Sequence, residues 1–146
     1  MPTESKSFYQ GTCKGLIATE ANSIIGELSK RVSQQFAGDE RKQIQSWEVQ
    51  LGILKSAISA QPSLVDNWGI LIELQLLRLG RRIDTVLLVG DCIVCIEFKI
   101  GSSSFNTTDI AQAVDYGLCL RDFHQGSRDY DIYPILCSDL APDRMC

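Results

Sequence analysis

The sequence predicts an α/β domain in which helices flank a central mixed β-sheet, and three observations carry that expectation. Between Gly69 and Gly101, GILIELQLLRLGRRIDTVLLVGDCIVCIEFKIG reads as three strands in a row, at about 69–77, 82–89 and 92–99. Apolar residues recur at helical spacing on both sides of that stretch. Beyond the second helical flank, Tyr130 to Cys137 supplies a fourth apolar strand. A helical crossover normally returns such a strand parallel to its earlier neighbour.

Taken in order, residues 1–18 offer only Phe8, Tyr9, Leu16 and Ile17 as anchors and read as an irregular N-terminal arm, leaving 19–146 as the domain. A first helix runs to Phe36, with Thr19 as its cap, Ile24, Ile25, Leu28, Val32 and Phe36 as its apolar positions and Ala37-Gly38 as its stop. A second begins near Asp39 and carries Ile44, Trp47, Leu51, Leu54 and Ile58 in one stripe. The two are expected to pack as a pair. Pro62 and Asn67 break the helical pattern before the sheet. The Gly80 region and Gly90-Asp91 are short enough to force antiparallel hairpins. Dense Leu, Ile and Val in the strands predicts burial by helices on both faces. GSSSFNTTD is a polar loop whose Thr107-Thr108-Asp109 can cap a helix reaching His124, with Ile110, Ala113, Val114, Gly117 and Leu118 as its packing face.

At 146 residues and 45% hydrophobic content the chain can bury the core of one domain. A formal net charge of −4 argues against a strongly basic nucleic-acid coat and leaves Arg78, Arg81 and Arg82 as a candidate local strip. No run of about 18 apolar residues occurs, and MPTESKSFYQ lacks the basic and apolar regions of a leader. The expectation is a soluble cytoplasmic protein with no membrane partner. Of the six cysteines (13, 92, 95, 119, 137 and 146), four fall inside apolar segments and read as free structural thiols. Cys92 and Cys95 form a CxxC, but i and i+3 on a strand point to opposite faces, which suits zinc poorly. Trp47 and Trp68 read as core. His124, the sole histidine, suits a helix-end role. Ser102 to Ser104 form a flexible loop without a partnered histidine.

Chemistry concentrates in the third strand. Alternation puts Ile93, Cys95, Glu97 and Lys99 on one face and Val94, Ile96 and Phe98 on the other, so a carboxylate and an ammonium are neighbours at the strand's end. Asp84 lies one hairpin upstream, within reach of Glu97. Unpaired carboxylates are costly to bury, so these acids require counter-charges, hydrogen bonds or a cation. A structural account pairs Glu97 with Lys99 or Arg82 and lets Asp84 end a strand. Together, two carboxylates and a lysine form a candidate site for Mg²⁺ or Mn²⁺, the toolkit for cutting a phosphodiester.

Asp84, a short hairpin, then Glu97-Phe98-Lys99 resembles the signature of the PD-(D/E)XK nuclease superfamily. Gln112-Ala113-Val114-Asp115-Tyr116 is similar to the QxxxY motif of its RecB-like and related branches, and positions i and i+4 share a helix face. The wider run from about residue 44 to 140 resembles more closely the nuclease-like N-terminal region found ahead of a helicase in a large uncharacterised bacterial family. That resemblance implies a restriction-endonuclease-like core. It implies Asp84 and Glu97 as metal ligands, the Phe98 carbonyl as a third, and Lys99 as the group that positions water or stabilises phosphorane charge. Gln112 and Tyr116 would orient the site or touch substrate. A further acid would come from Glu48, on the preceding helix, or Glu73, which faces Asp84 if the first hairpin turns at Arg78-Leu79. Ile83 stands where the signature has proline. The helicase is missing, as in an excised domain or a naturally short protein. The implied activity is hydrolysis of DNA more than RNA, in repair, restriction or defence. A helicase domain or protein is a candidate partner, and a homodimer would set two sites on two strands. The alternative is an inactive nucleic-acid-binding or protein-interaction module on the same fold.

Overall fold

Helix and strand form where the periodicity changes from 3.6 to 2. In the computed structural model, which describes residues 7–35, 40–60, 67–76, 81–123 and 130–140, nine elements follow one another. They are β1 (Ser7–Thr12), α1 (Cys13–Ala18), α2 (Ala21–Gln35), α3 (Glu40–Ser59), β2 (Gly69–Leu76), β3 (Arg81–Val89), β4 (Cys92–Lys99), α4 (Thr107–Phe123) and β5 (Asp131–Ser138). The sheet has the order β1-β2-β3-β4-β5. Its first four strands pair antiparallel in succession, and β5 joins β4 in parallel after the α4 crossover. The result is an α/β architecture with a five-stranded mixed sheet flanked by helices.

Helices cover both faces. On one, Leu16 of α1, Leu28 of α2 and Trp47 and Leu51 of α3 close over Ile70, Ile72, Leu87 and Phe98. On the other, Tyr116 and Leu120 of α4 close over Leu74, Ile83, Val86, Ile93 and Cys95. Each fully buried aliphatic side chain contributes about 1.5–3 kcal/mol relative to exposure. Among the described residues no helix is long and apolar enough to cross a membrane.

Several local expectations are corrected. Residues 7–18 are β1 and α1 and not an irregular arm. β1 takes its partner from β2, and α1 is only six residues long, too short to display a helical period. Thr12 caps α1, its Oγ1 accepting the Gly15 N–H at 2.9 Å. Thr19 closes that helix instead of starting α2: its N–H donates to Leu16 O at 3.3 Å and its hydroxyl to Gly15 O at 2.8 Å. The Lys55 ammonium donates to Thr19 O and ties α3 to this corner. At the start of α4, Asn106 is the capping side chain, its Oδ1 accepting the Asp109 N–H at 2.8 Å.

The packing face of α4 also differs. Ala113, Tyr116 and Leu120 are buried, whereas Ile110, Val114 and Leu118 are 43%, 44% and 51% exposed. Both sets recur at helical spacing, so periodicity could not choose between them. Gly117 is on the buried side: a Cβ there would lie 3.5 Å from Ile132 and Pro134 of β5, which marks the close approach of helix and strand. The cysteines at 13, 92, 95, 119 and 137 carry free thiols. Arg78, His124 and Cys146 lie outside the described residues.

Candidate active site

One backbone irregularity organises the end of the sheet. Glu73, in the middle of β2, has φ 56°, a left-handed conformation that an L-residue adopts at a cost of about 1–2 kcal/mol. Strand alternation fails there. Leu71 and Leu74, three apart, both pack toward α4, whereas Ile70 and Ile72 pack toward α1, α2 and α3. The carboxylate of Glu73 turns into the α3 layer, where Trp47 Nε1 donates to its Oε1 at 3.2 Å. Its Oε2 meets Arg82 at 3.2 Å. Arg82 also stacks over the Phe8 ring, 5.3 Å from the centroid. With three quarters of its side chain buried in these contacts, Arg82 belongs to the sheet's interior and not to a surface basic strip.

The β3–β4 ladder runs from Val89↔Cys92 to Thr85↔Ile96. At the next step the Asp84 side chain takes over, its Oδ2 accepting the Phe98 N–H at 2.8 Å. Asp84 and Glu97 are thereby brought together. Burial first, then a hydrogen bond with Asp84 and the charges of Asp84 and Glu73, push the Glu97 carboxyl up to about 10 against the pull of Lys99. Burial and the Asp84 charge push Glu73 up to about 7, against Arg82 and the Trp47 hydrogen bond. The Asp84–Glu97 pair is therefore short of positive charge, while Glu73 is engaged elsewhere.

Lys99, at the carboxyl end of β4, reaches α4. Its Nζ donates to Gln112 Oε1 at 3.0 Å and lies 3.8 Å from Asp109 Oδ1. Gln112 Nε2 in turn donates to Tyr116 Oη at 2.9 Å, so the two residues of the QxxxY pattern do share a helix face and form a chain ending on Lys99. The pairing of Glu97 with Lys99 or Arg82 gives way to other partners: Lys99 is drawn to α4 and Arg82 to Glu73. Glu48 stands apart. It is exposed on α3 and lines shallow grooves with Gly52 and Ile53 or with Arg41 and Ile44, so Glu73 is the additional acid close to Asp84.

The loop after β4 is hydrogen-bonded throughout its first turn. Gly101, at φ 85°, donates its N–H to Asp139 Oδ1 at 2.6 Å, and Leu140 N–H donates to Ser102 O at 3.0 Å. The Ser102 hydroxyl donates to Ser104 O at 2.8 Å, so the serine run is a structured turn. Between this loop and Lys42, Gln45, Ser46 and Val49 of α3 lies a cleft of about 670 Å³, whose far side is residues 98–102 and Asp109.

Sequence reasoning missed three participants. Asp109 beside Lys99 was legible from its spacing, since 109, 112 and 116 share a helix face. Trp47 as a donor and Asp139 as a clasp depend on contacts 26 and 38 residues distant in sequence, and no local pattern signals them. Among the described residues no group of three or more His, Cys, Asp or Glu converges as a metal-holding cluster. Comparison with protein-family models, curated proteins and solved structures finds no match to this chain.

Proposed function

We propose that the protein is a Mg²⁺- or Mn²⁺-dependent nuclease that hydrolyses DNA phosphodiester bonds on a restriction-endonuclease-like, PD-(D/E)XK core. The observation that supports this most is the meeting of the Asp84–Glu97 pair with Lys99, itself held by Gln112, at the end of β4. The donor set fits a hard divalent cation. Two carboxylates in contact are deficient in positive charge, and Mg²⁺ is commonly held by one or two carboxylates with water completing its shell. Asp84 and Glu97 would hold the ion, with the Phe98 carbonyl as a third oxygen; Glu73, committed to Trp47 and Arg82, adds its negative charge to the surroundings of the pair. When bound, such an ion polarises the phosphoryl oxygen and lowers the pKa of water.

The remaining steps belong to the chain. Lys99 presents an ammonium beside the carboxylates, where negative charge develops on phosphorus-bound oxygen. Gln112 fixes the position of that ammonium and Tyr116 fixes Gln112. On this reading the protein is a cytoplasmic enzyme acting on DNA in repair, restriction or defence, with a helicase domain or protein as its candidate partner. The engagement of Glu73 favours one alternative, an inactive nucleic-acid-binding or protein-interaction module on the same core, which binds without metal.

Plasmid and oligonucleotide cleavage with Mg²⁺ and Mn²⁺, beside calorimetric titration of each ion, separates the two. Asp84→Asn, which retains an acceptor for Phe98 N–H, and Lys99→Ala are each expected to lower cleavage by about 10²-fold or more with the fold intact. Equal cleavage by wild type and both variants would refute the nuclease assignment.

A further inference from the structure

We infer that the cleft between α3 and the β4–α4 loop is a seat for one unpaired nucleotide of the substrate strand, so that the protein selects single-stranded DNA over duplex; this rests on the nuclease reading of the adjoining site. Three features of the cleft carry the inference. Its volume, about 670 Å³, is that of a site for a small organic ligand. Its lining is divided: Val49, 38% exposed on α3, and half-buried Ile100 provide apolar surface. Lys42, Gln45 and Ser46 provide donors at the rim. A nucleotide has the same division, an apolar base face and an anionic phosphate.

Charge decides between an unpaired strand and a duplex. Duplex DNA is held chiefly through many phosphate contacts. This cleft offers two ammonium groups, Lys42 and Lys99, the second shared with the Asp109 carboxylate that also lines it, on a chain whose formal net charge is −4. Two contacts cannot hold a duplex against that background, whereas an unpaired base adds apolar contact that a paired and stacked base withholds. Lys99 belongs to both the cleft and the chain of hydrogen bonds from α4, so a phosphate seated here meets the ammonium two residues beyond Glu97 in β4.

The test is fluorescence anisotropy of labelled oligo-dT and of a blunt hairpin duplex with the full chain in EDTA, across a salt series, followed by Mn²⁺-dependent cleavage of both. Oligo-dT is expected to bind roughly tenfold or more tightly than the hairpin. The slope of log K against log salt should be about −1.4, two contacts at ~0.7 each on a single strand. Lys42→Gln should reduce that slope to about −0.7. Val49→Glu should weaken oligo-dT binding roughly tenfold or more, and Val49→Lys should weaken it less, with unfolding midpoints of both variants unchanged. Equal or tighter binding of the hairpin, or wild-type binding by Val49→Glu, overturns the seat. Cleavage that ignores strandedness would overturn the seat and leave the nuclease standing. Selective oligo-dT binding without cleavage would do the reverse.

Discussion

Replacing Glu73 by glycine sets backbone strain against side-chain contacts, and the structure allows both to be sized. The left-handed φ of 56° costs a glutamate about 1–2 kcal/mol that glycine would not pay. Against this, glycine in a strand loses about 0.5–1 kcal/mol of additional backbone entropy, so relief amounts to roughly 1 kcal/mol at most. The contacts are larger. Glu73 is 2% exposed, and its removal leaves the buried Trp47 N–H without this acceptor, at about 1–3 kcal/mol. Losing the Arg82 ion pair adds about 1–2 kcal/mol, between the exposed and buried limits, because the Arg82 side chain is one quarter exposed. Relief of repulsion with Asp84 and Glu97 offsets part of that sum. The expected net loss for Glu73→Gly is about 2 kcal/mol, which at an m value of about 2 kcal/mol/M moves the urea midpoint down by about 1 M. Glu73→Gln keeps a carbonyl acceptor for Trp47 and gives up the charge of the Arg82 pair, which relief of repulsion with Asp84 and Glu97 partly offsets, so it should lose about 1 kcal/mol, less than Glu73→Gly. Tryptophan fluorescence follows the transition, Trp47 being the reporter in contact. A Glu73→Gly protein as stable as wild type would show that strain, and not Trp47 and Arg82, sets the energy of this position.

Two further outcomes follow from burial and open space. Cys95 is 2% exposed and burial pushes its thiol up to about 12, so at pH 8 it should react with a thiol reagent only as fast as the protein unfolds, whereas half-buried Cys92 reacts in the folded state; equal native rates in single-cysteine variants would contradict the placement of β4. Gly26 and Gly52 sit inside α2 and α3 with nothing within 4 Å of an added Cβ, and Gly26→Ala and Gly52→Ala should each stabilise by about 1 kcal/mol, raising the melting temperature by about 4 °C. A fall in either case would place a neighbour where the structure has open space.

Much of the fold was determined locally. The strand-forming run from Gly69 to Lys99 turns where short loops leave no alternative to hairpins, and its pattern places Asp84 and Glu97 one hairpin apart before any tertiary contact exists. The helical stripe through Trp47, Leu51, Leu54 and Ile58 defines α3 in the same way, and the length of the α4 crossover makes β5 parallel to β4. These features depend on periodicity and loop length, which involve residues a few positions apart.

Tertiary structure decided the rest, because the deciding contacts cross long stretches of chain. β1 is a strand because β2 offers it a partner. Alternation assigns Glu73 to the α4 face, and only the pull of Trp47 and Arg82 turns it to the other. Helical spacing gives α4 two apolar stripes, and packing against Ile132, Pro134 and Cys95 selects the one bearing Tyr116. Lys99 stands beside Glu97 in sequence, yet its ammonium is held by α4, since Gln112 and Asp109 present oxygens where the strand end meets the helix start. Which acids and bases lie near one another was thus legible from spacing, while the partner each one takes was settled by the layers that close over the sheet.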